Sequence, residues 1–411
     1  MKAVILAAGK GTRMRPLTFT RPKHMLPVAG KPILEHIINF LRVGKIKDIV
    51  IVVGSESEFI MDYFGDGSRF DVNIDYVEQR KPLGLAHAVS AAQDLLKGEE
   101  RFVTVLGDVL LKLNLKDMIS FHLKKEAKAT IAVSEAVDPT PFGVVKVVDG
   151  FRVEKLVEKP KVPPSNLIIA GLYIFEHELW ECIDDLKPSW RGEYELTDAI
   201  QLMVERGYPV YGYLTKKWWK DTGRPTDLLE ASQKFLSELS EFYVLGEVQK
   251  NVEIRGPVQI GRDSIIYEGA RIFGPVVIGD KCEIGPGCII GPNVDIGGDV
   301  RLIENVTLKN AIIMSRTFIS NNAFITDSVI GEDCKIGSGV RAVGDGKTFG
   351  VVIGDNSVIG PGIVFSPGSM LGPNSSVRLK WQVNDDDAVS YTHLRAHETR
   401  HDLVCRLLLE K

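Results

Sequence analysis

A chain of 411 residues is longer than one hydrophobic core usually supports, so at least two domains are expected. Its composition, 44% hydrophobic and 25% charged, is that of a globular protein. A net charge of −4 leaves no overall field toward nucleic acid or a membrane, so neither is expected as a partner. No run of about 18 apolar residues is present to span a bilayer.

The opening, MKAVILAAGKGTR, lacks a signal-peptide pattern, because its apolar run ends within a few residues at glycine and charge. Five cysteines (Cys182, Cys282, Cys288, Cys334, Cys405) show no CxxC spacing and are odd in number. They read as free thiols in a reducing, cytoplasmic compartment.

Residues 1–235 alternate strand-like and helix-like runs. KAVILAA (2–8) is a short apolar strand, and PILEHIINFLRVG (32–44) has apolar residues at helical spacing ending on Gly44. DIVIVVG (48–54) predicts a buried strand, LAHAVSAAQDLL (85–96) a helix, and RFVTVLGD (101–108) a strand ending in Gly-Asp. This alternation implies an α/β domain of Rossmann-like character with a mostly parallel sheet covered on both faces. In such sheets ligands bind beyond the C-terminal strand ends, where the Gly-rich loop after the first strand and Asp108 would both fall.

Residues 236–250 read as a helix and connector. From Ile254 an aliphatic residue or Met then recurs at every sixth position as far as Met314. The phase slips by one through Ile319 and Ile325, again at Ile330 and Ile336, and later at Ile353 and Ile359. Hexapeptide repeats of this kind predict a left-handed parallel β-helix over 251–378, with about 18 residues per coil and about seven coils. Residues 388–411 have no such period and hold His393, His397 and His401. They resemble read-through translation of adapter DNA and are taken as non-native; the alternatives are a His-rich metal tract or a capping helix.

The loop Leu6-Ala7-Ala8-Gly9-Lys10-Gly11-Thr12-Arg13, continuing to Pro22-Lys23, can bring backbone N–H groups to phosphate oxygens. It is neither a Walker A loop nor GxGxxG, since Met14 stands where a third Gly would be. Gly-Lys-Gly alone fits a tight turn equally well. The whole string, however, resembles the sugar nucleotidyltransferase signature LAxGxGTRxxPLTxxxPK at every defined position. Further matches follow in family order: Gln79 with Pro82–Ala86, Gly107-Asp108, Phe142–Val145, Glu158-Lys159-Pro160, Arg191–Asp198, and Trp219–Gly223.

The resemblance implies attack of a sugar-1-phosphate oxygen on the α-phosphorus of a nucleoside triphosphate, with pyrophosphate leaving in line. Two polyanions must meet, so positioning and charge neutralisation dominate and no protein nucleophile is needed. It implies Arg13, Lys23, Asp108 and Asp221 as catalytic residues. Asp108 and Asp221 would bind Mg²⁺, a hard cation suited to carboxylate and phosphate oxygen. Leu6, Ala7, Ala8, Gly9, Gly11, Thr12, Gln79, Gly84 and Leu85 would bind the nucleotide. Gly143, Glu158, Lys159 and Gly171 would bind the sugar phosphate. Without the family, Asp108 would fit a turn cap and Lys159 a solvated charge. Trp218 and Trp219 fit core or pocket wall, Arg191 fits a structural role as well as a binding one, and His24 and His87 are neighbours without a chemical task.

Val109 replaces the Asn usual after Gly-Asp in thymidylyltransferases, and Ala8 replaces a common Gly; both lean toward uridylyltransferases. KPLGLAHAV, KPSWRGEYELTDAIQ and WWKDTGRPTDLLEA instead resemble long thymidylyltransferases. These longer strings carry more weight, so the resemblance implies dTTP and glucose 1-phosphate as substrates; the alternative is a UTP-dependent uridylyltransferase of N-acetylglucosamine 1-phosphate or glucose 1-phosphate, like the bifunctional acetyltransferase-type relatives. Left-handed β-helices often transfer acyl groups using a histidine base. No histidine lies between His177 and His393, so the β-helix is expected to be structural, oligomerising or regulatory, in a homo-oligomer. A regulatory subunit that has lost catalysis is disfavoured, because Arg13, Lys23, Asp108, Lys159 and Asp221 are all present.

Overall fold

The computed structural model describes residues 1–55, 57–240 and 242–378. The tail from 388, with its histidines and Cys405, lies outside the described residues. The described chain divides into two compact units whose segments interleave. The first holds Met1–Lys10, Pro22–Met25 and Ile33–Thr222; the second holds Gly11–Arg21, Leu26–Pro32 and the chain from Gly223 onward.

The first unit is built on a nine-stranded sheet. Its strands are β1 (Ala3–Ala7), β2 (Asp48–Val53), β3 (Asn73–Glu78) and β4 (Arg101–Leu106), then β6 (Ala129–Glu135), β7 (Gly143–Val147), β8 (Val153–Glu158), β9 (Leu167–Glu176) and β10 (Val210–Leu214). A separate ribbon pairs β5 (Val109–Leu111) with β11 (Trp219–Asp221). The sheet order is β8-β7-β9-β4-β1-β2-β3, with β6 pairing β9 and β10. β4, β1, β2 and β3 are parallel because α1 (Ile33–Val43), α2 (Ser57–Phe64) and α3 (Leu85–Ala91) lie in the crossovers between them. β1 is buried along its whole length, as a central strand covered on both faces should be.

The expectation of a mostly parallel sheet holds for that half and for the β6–β10 pair, but not for β8 and β9. β9 runs antiparallel to β4 and β6, and β7 runs antiparallel to β8 and β9. The short β7–β8 connection contains no α-helix and returns antiparallel, which turns β8 and then β9 against the other strands. The helix predicted over 85–96 is also shorter: α3 ends at Ala91, and Gln93–Leu96 is a 3₁₀ turn. Further along lie α4 (Leu115–Lys124), α5 (Glu178–Asp184) and α6 (Leu196–Glu205).

In the second unit short parallel strands stack in three ladders, as a parallel β-helix requires. Ile266, Ile284, Leu302, Ile319 and Ile336 form one inward column and are fully buried. Burying each such side chain contributes roughly 1.5–3 kcal/mol. The ladders begin at Tyr243–Val244 and Glu247–Val248, inside the stretch read as connector, and the ladder starting at Glu247 has eight rungs rather than seven. The helix expected after 236 lies before it, as α7 (Pro225–Leu236). Pro225 opens that helix, and the Asp227 carboxylate accepts from the Arg224 backbone N–H.

The phase slips also acquire a cause. Ile284 stacks on Leu302, 18 residues on, but Leu302 stacks on Ile319, 17 on, and Ile336 on Ile359, 23 on. The shortened coils turn at Asn310 and Asp327, both with positive φ, and the lengthened coil accommodates a loop after Ala342. Ile313, not Met314, is the inward residue at the first slip, since it pairs with Ile330 inside the core.

The three outer faces differ. Outward residues on two of them are largely half-buried or exposed, including Glu283, Arg301 and Lys335. On the third, Val277, Asp295, Ile312, Val329 and Val352 point outward and are still buried. α7 packs on strands Thr307–Ile313 and Phe324–Ile330 of this face. The hairpin Pro27–Pro32 joins it: the Asp295 carboxylate accepts from the Gly30 N–H at 2.9 Å, and a Cβ on Gly30 would stand 2.9 Å from Val277.

Candidate active site

In the first unit the C-terminal ends of β1, β2 and β4 approach so closely that only glycine fits between them. A Cβ on Gly54 would stand 2.9 Å from the Ala8 carbonyl oxygen, and one on Gly107 would stand 2.7 Å from that of Leu6. The Leu6 carbonyl accepts from the Gly107 N–H at 2.9 Å. Lys23 reaches this point: its Nζ bonds to the Asp108 carboxylate, and its side chain lies against Gly9. Burial opposes ionisation of Asp108, but the Lys23 ammonium and its hydrogen bond outweigh that and hold the carboxyl below its usual range. His24 beside it is buried, and burial with the Lys23 charge pushes its pKa down to about 3. It is therefore a neutral ring near neutral pH.

Asp221 arrives from β11, where the register sets it opposite Val109, one residue past Asp108. Thr222 donates both its N–H (3.0 Å) and its hydroxyl (2.7 Å) to the Asp108 carbonyl oxygen. Two carboxylates far apart in the chain, Asp108 and Asp221, are thus brought to adjacent strand ends. Gly171 lies here too. The β9–β6 register breaks between Ile169 and Tyr173, Gly171 has φ +74°, and a Cβ there would stand 2.8 Å from Val109.

A second cluster surrounds Glu158, at the end of β8. Gly143 pairs with it, and a Cβ on Gly143 would meet Ile169 at 2.8 Å and Glu158 Oε2 at 3.1 Å. Thr197 donates its hydroxyl to Glu158 Oε2 at 3.2 Å. Lys159 Nζ is 3.4 Å and Arg191 Nη1 3.9 Å from Glu158 Oε1. Arg191 also bonds Glu195 at 3.0 Å and Glu193 at 3.1 Å. Burial, then the Glu158 charge, raises the pKa of Glu195 and of Asp198. Buried Tyr173 feels both Glu158 and Asp108, which with burial push its phenol upward. Trp219 stands edge-on to Phe142 at 5.8 Å.

The third cluster is the Gln79 loop. Gln79 Nε2 donates to the Gly84 carbonyl at 3.1 Å and lies 3.0 Å from His87 Nδ1. Gly84 has φ +114°, and its Cβ position would be 2.4 Å from the Tyr194 carbonyl oxygen. Tyr194 straps the loop through N–H to Leu83 O (2.7 Å), and its own carbonyl accepts from Ala86 N–H (3.0 Å). Leu85 is partly exposed beside it.

The second unit carries the remaining part of the signature. Gly11 has φ +59° and opens the 3₁₀ turn Thr12–Met14, closed by Met14 N–H to Gly11 O at 2.9 Å. Thr18 donates its hydroxyl to the same carbonyl at 2.7 Å. Met14 and Leu17 are buried, which leaves Thr12 and Arg13 turned outward. The Arg13 guanidinium lies over Gly223, whose Cβ position is 3.1 Å from Arg13 Nη2.

The nucleotidyl transferase family model matches residues 2–238, more than half of the chain. The chain belongs to that family. Residues 272–391 match the GMPPB C-terminal domain. Over 265 residues the chain is 40% identical to the low-salt glycan biosynthesis nucleotidyltransferase Agl11 of Haloferax volcanii, covering 64% of this chain and 74% of the relative. It is 38% identical to a glucose-1-phosphate thymidylyltransferase of Streptomyces griseus over 279 residues, 68% of this chain and 78% of that one. It is also 38% identical to the bifunctional protein GlmU of Methanococcus maripaludis over 268 residues, 65% and 62% of the two chains.

In this nucleotidyl transferase, Gly9, Lys23, Asp108, Asp221 and Gly171 converge at one group of strand ends, and Gly143, Glu158 and Lys159 at a neighbouring corner of the same unit. Leu6 and Ala7 are buried strand residues that leave only backbone for a ligand, and the Leu6 carbonyl is already engaged. Sequence reasoning passed over Thr197 and Glu195. Their signal was present, since both lie in the Arg191–Asp198 string, but nothing local shows that they turn toward Glu158. Among the described residues no helix is long and apolar enough to cross a membrane.

Proposed function

We propose that the chain joins dTTP to glucose 1-phosphate, giving dTDP-glucose and pyrophosphate. The observation that carries nucleotidyl transfer is the meeting of Lys23, Asp108 and Asp221 at glycine-lined strand ends. A phosphate oxygen of the sugar attacks the α-phosphorus as the bond to pyrophosphate breaks. Arg13 would stabilise charge on the transferring and leaving phosphates, and Lys23 would contact the α-phosphate and the sugar phosphate. Gly9, Gly11 and Thr12 would offer backbone N–H groups, while Gln79, Gly84 and Leu85 would face the base. Glu158 would accept from sugar hydroxyls, with Lys159 on the sugar phosphate and Gly143 and Gly171 leaving room for the ring.

Two neighbouring carboxylates fit a hard cation that keeps further oxygen ligands from phosphate and water. Asp108 and Asp221 would hold Mg²⁺, which supplies charge neutralisation on the nucleotide phosphates when bound. Lys23 would then exchange the Asp108 carboxylate for phosphate.

The thymidylyl reading is supported by the strings at 81–89, 187–201 and 218–231 and by the likeness to the Streptomyces protein. A uridylyl reading is favoured by Val109 and Ala8 and by the likeness to GlmU. Acetyl transfer in the β-helix is not part of either reading, because that region carries no histidine. The test is pyrophosphate release with each nucleoside triphosphate against glucose, mannose and N-acetylglucosamine 1-phosphates. A kcat/KM for dTTP with glucose 1-phosphate above every other pair is the expected result; preference for UTP or GTP would replace it. The four described thiols are buried and free, which supports a reducing, cytoplasmic setting.

A further inference from the structure

We propose that Arg21 is a positioning residue for nucleotide transfer, through which the β-helix sets the signature segment. This rests on the reading above, in which Arg13 and Lys23 act on the phosphates. Arg21 follows Arg13 by eight residues and precedes Lys23 by two. Its partners are far off in the chain. Nη1 donates to Glu332 at 2.6 Å and Nη2 to Asp355, and Thr20 donates its hydroxyl to the same Asp355 oxygen at 2.6 Å.

Both carboxylates are themselves held. The second Asp355 oxygen accepts from the Glu332 backbone N–H at 2.8 Å, and the second Glu332 oxygen pairs with Arg316. The Asp355 side chain is only 5% exposed and that of Arg21 12%. A planar guanidinium forked across two fixed carboxylates has one geometry, which a flexible ammonium would not reproduce.

A second tether follows. The hairpin Pro27–Pro32 is held to the β-helix unit by Gly30 N–H on Asp295 and Ala29 N–H on Ser232. Only Pro22–Met25 separates Arg21 from the next stretch of that unit, and Lys23 lies within those four residues. Lys23 is therefore flanked along the chain on both sides by segments fixed to the β-helix. Arg13 lies in the segment that Arg21 terminates. Buried ion pairs contribute little net stability, because desolvation offsets their attraction; fixing one register is their best-attested use.

The experiment compares full-length Arg21→Ala, Arg21→Lys, Glu332→Gln and Asp355→Asn for kcat, for KM of the nucleotide and for thermal midpoint, with Arg13→Ala and Lys23→Ala alongside. Arg21→Ala is expected to lower kcat/KM about 10- to 100-fold while staying folded at the assay temperature. Arg21→Lys and Glu332→Gln should fall between it and the wild type. If Arg21→Ala does not fold, Glu332→Gln and Arg21→Lys carry the test in the same way. Folded variants with wild-type kcat and KM overturn the inference while Arg13→Ala and Lys23→Ala remain inactive. Retained activity in those two would instead overturn the reading on which it rests.

Discussion

The two units bury their ionisable groups in different places. In the first, Asp108 and His24 sit at strand ends beside glycines that let backbones touch, and Glu195 and Asp198 sit at the start of α6. In the second, the groups inside the coils are thiols, and burial pushes Cys282 and Cys288 up to about 11 and Cys334 to about 12. Its buried carboxylates, Asp295 and Asp355, appear only where they meet the hairpin at 27–32 or the segment ending at Arg21. Irregular backbone concentrates reactive charge in one unit; regular backbone supplies fixed points for attachment in the other. A stack of repeating coils is suited to that task, because each strand is bonded to the rung before and the rung after it.

The sharpest way to break this contrast is to remove the strand-end carboxylates. Asp108→Ala and Asp221→Ala are each expected to lower Mg²⁺-dependent turnover by on the order of 10²–10³-fold with the fold intact, read by pyrophosphate release and circular dichroism. Normal turnover in either would remove the proposed metal site. Gly84→Ala is next. Its Cβ would stand 2.4 Å from a backbone oxygen at a φ that L-residues avoid, so a loss of about 1–3 kcal/mol in stability and a raised KM for the nucleotide are expected. Denaturant titration reads the first and kinetics the second; an unchanged KM would detach the Gln79 loop from nucleotide binding. Lost activity after an equally tight substitution on an outward face of the β-helix would blur the contrast instead.

Much of this architecture was legible because its signals are local. Continuous apolar runs marked β1 and β2, a single helical stripe marked α1, and the six-residue period marked the coils. The reversed direction of β8 and β9 was not legible, since direction depends on the connections rather than on strand composition. Met314 misled because it follows the inward Ile313 directly, and a shortened coil shifts the phase at that point. Lys23, Asp108, Asp221 and Glu158 were found through ordered motifs, and geometry then brought three of them to one set of strand ends. Arg21 carried no signal. Its partners lie 311 and 334 residues away, and an arginine between Thr20 and Pro22 looks like any solvated charge.

The effect expected to leave activity least changed concerns pH, and it has opposite signs in the two units. His24 has its pKa lowered from 6.5 to about 3, so the first unit holds that contribution above pH 6.5 and loses it as pH falls toward 3. Asp295 is raised from 3.8 to about 6 by burial, against the lowering influence of the Gly30 N–H. A raised carboxyl favours the folded state most below pH 3.8, and that advantage is lost as pH rises through about 6. A shift of about two pH units corresponds to about 3 kcal/mol as an upper bound. Asp295→Asn keeps an oxygen to accept from Gly30 and never ionises. Its stability should therefore exceed that of the wild type above pH 6 by up to that amount, and the two should converge below pH 4. Urea unfolding of both proteins from pH 4 to 8 checks this. A difference that is constant across the range would mean that Asp295 is already neutral, or already solvated, at every pH, and the hairpin's hold on the β-helix would then be insensitive to pH.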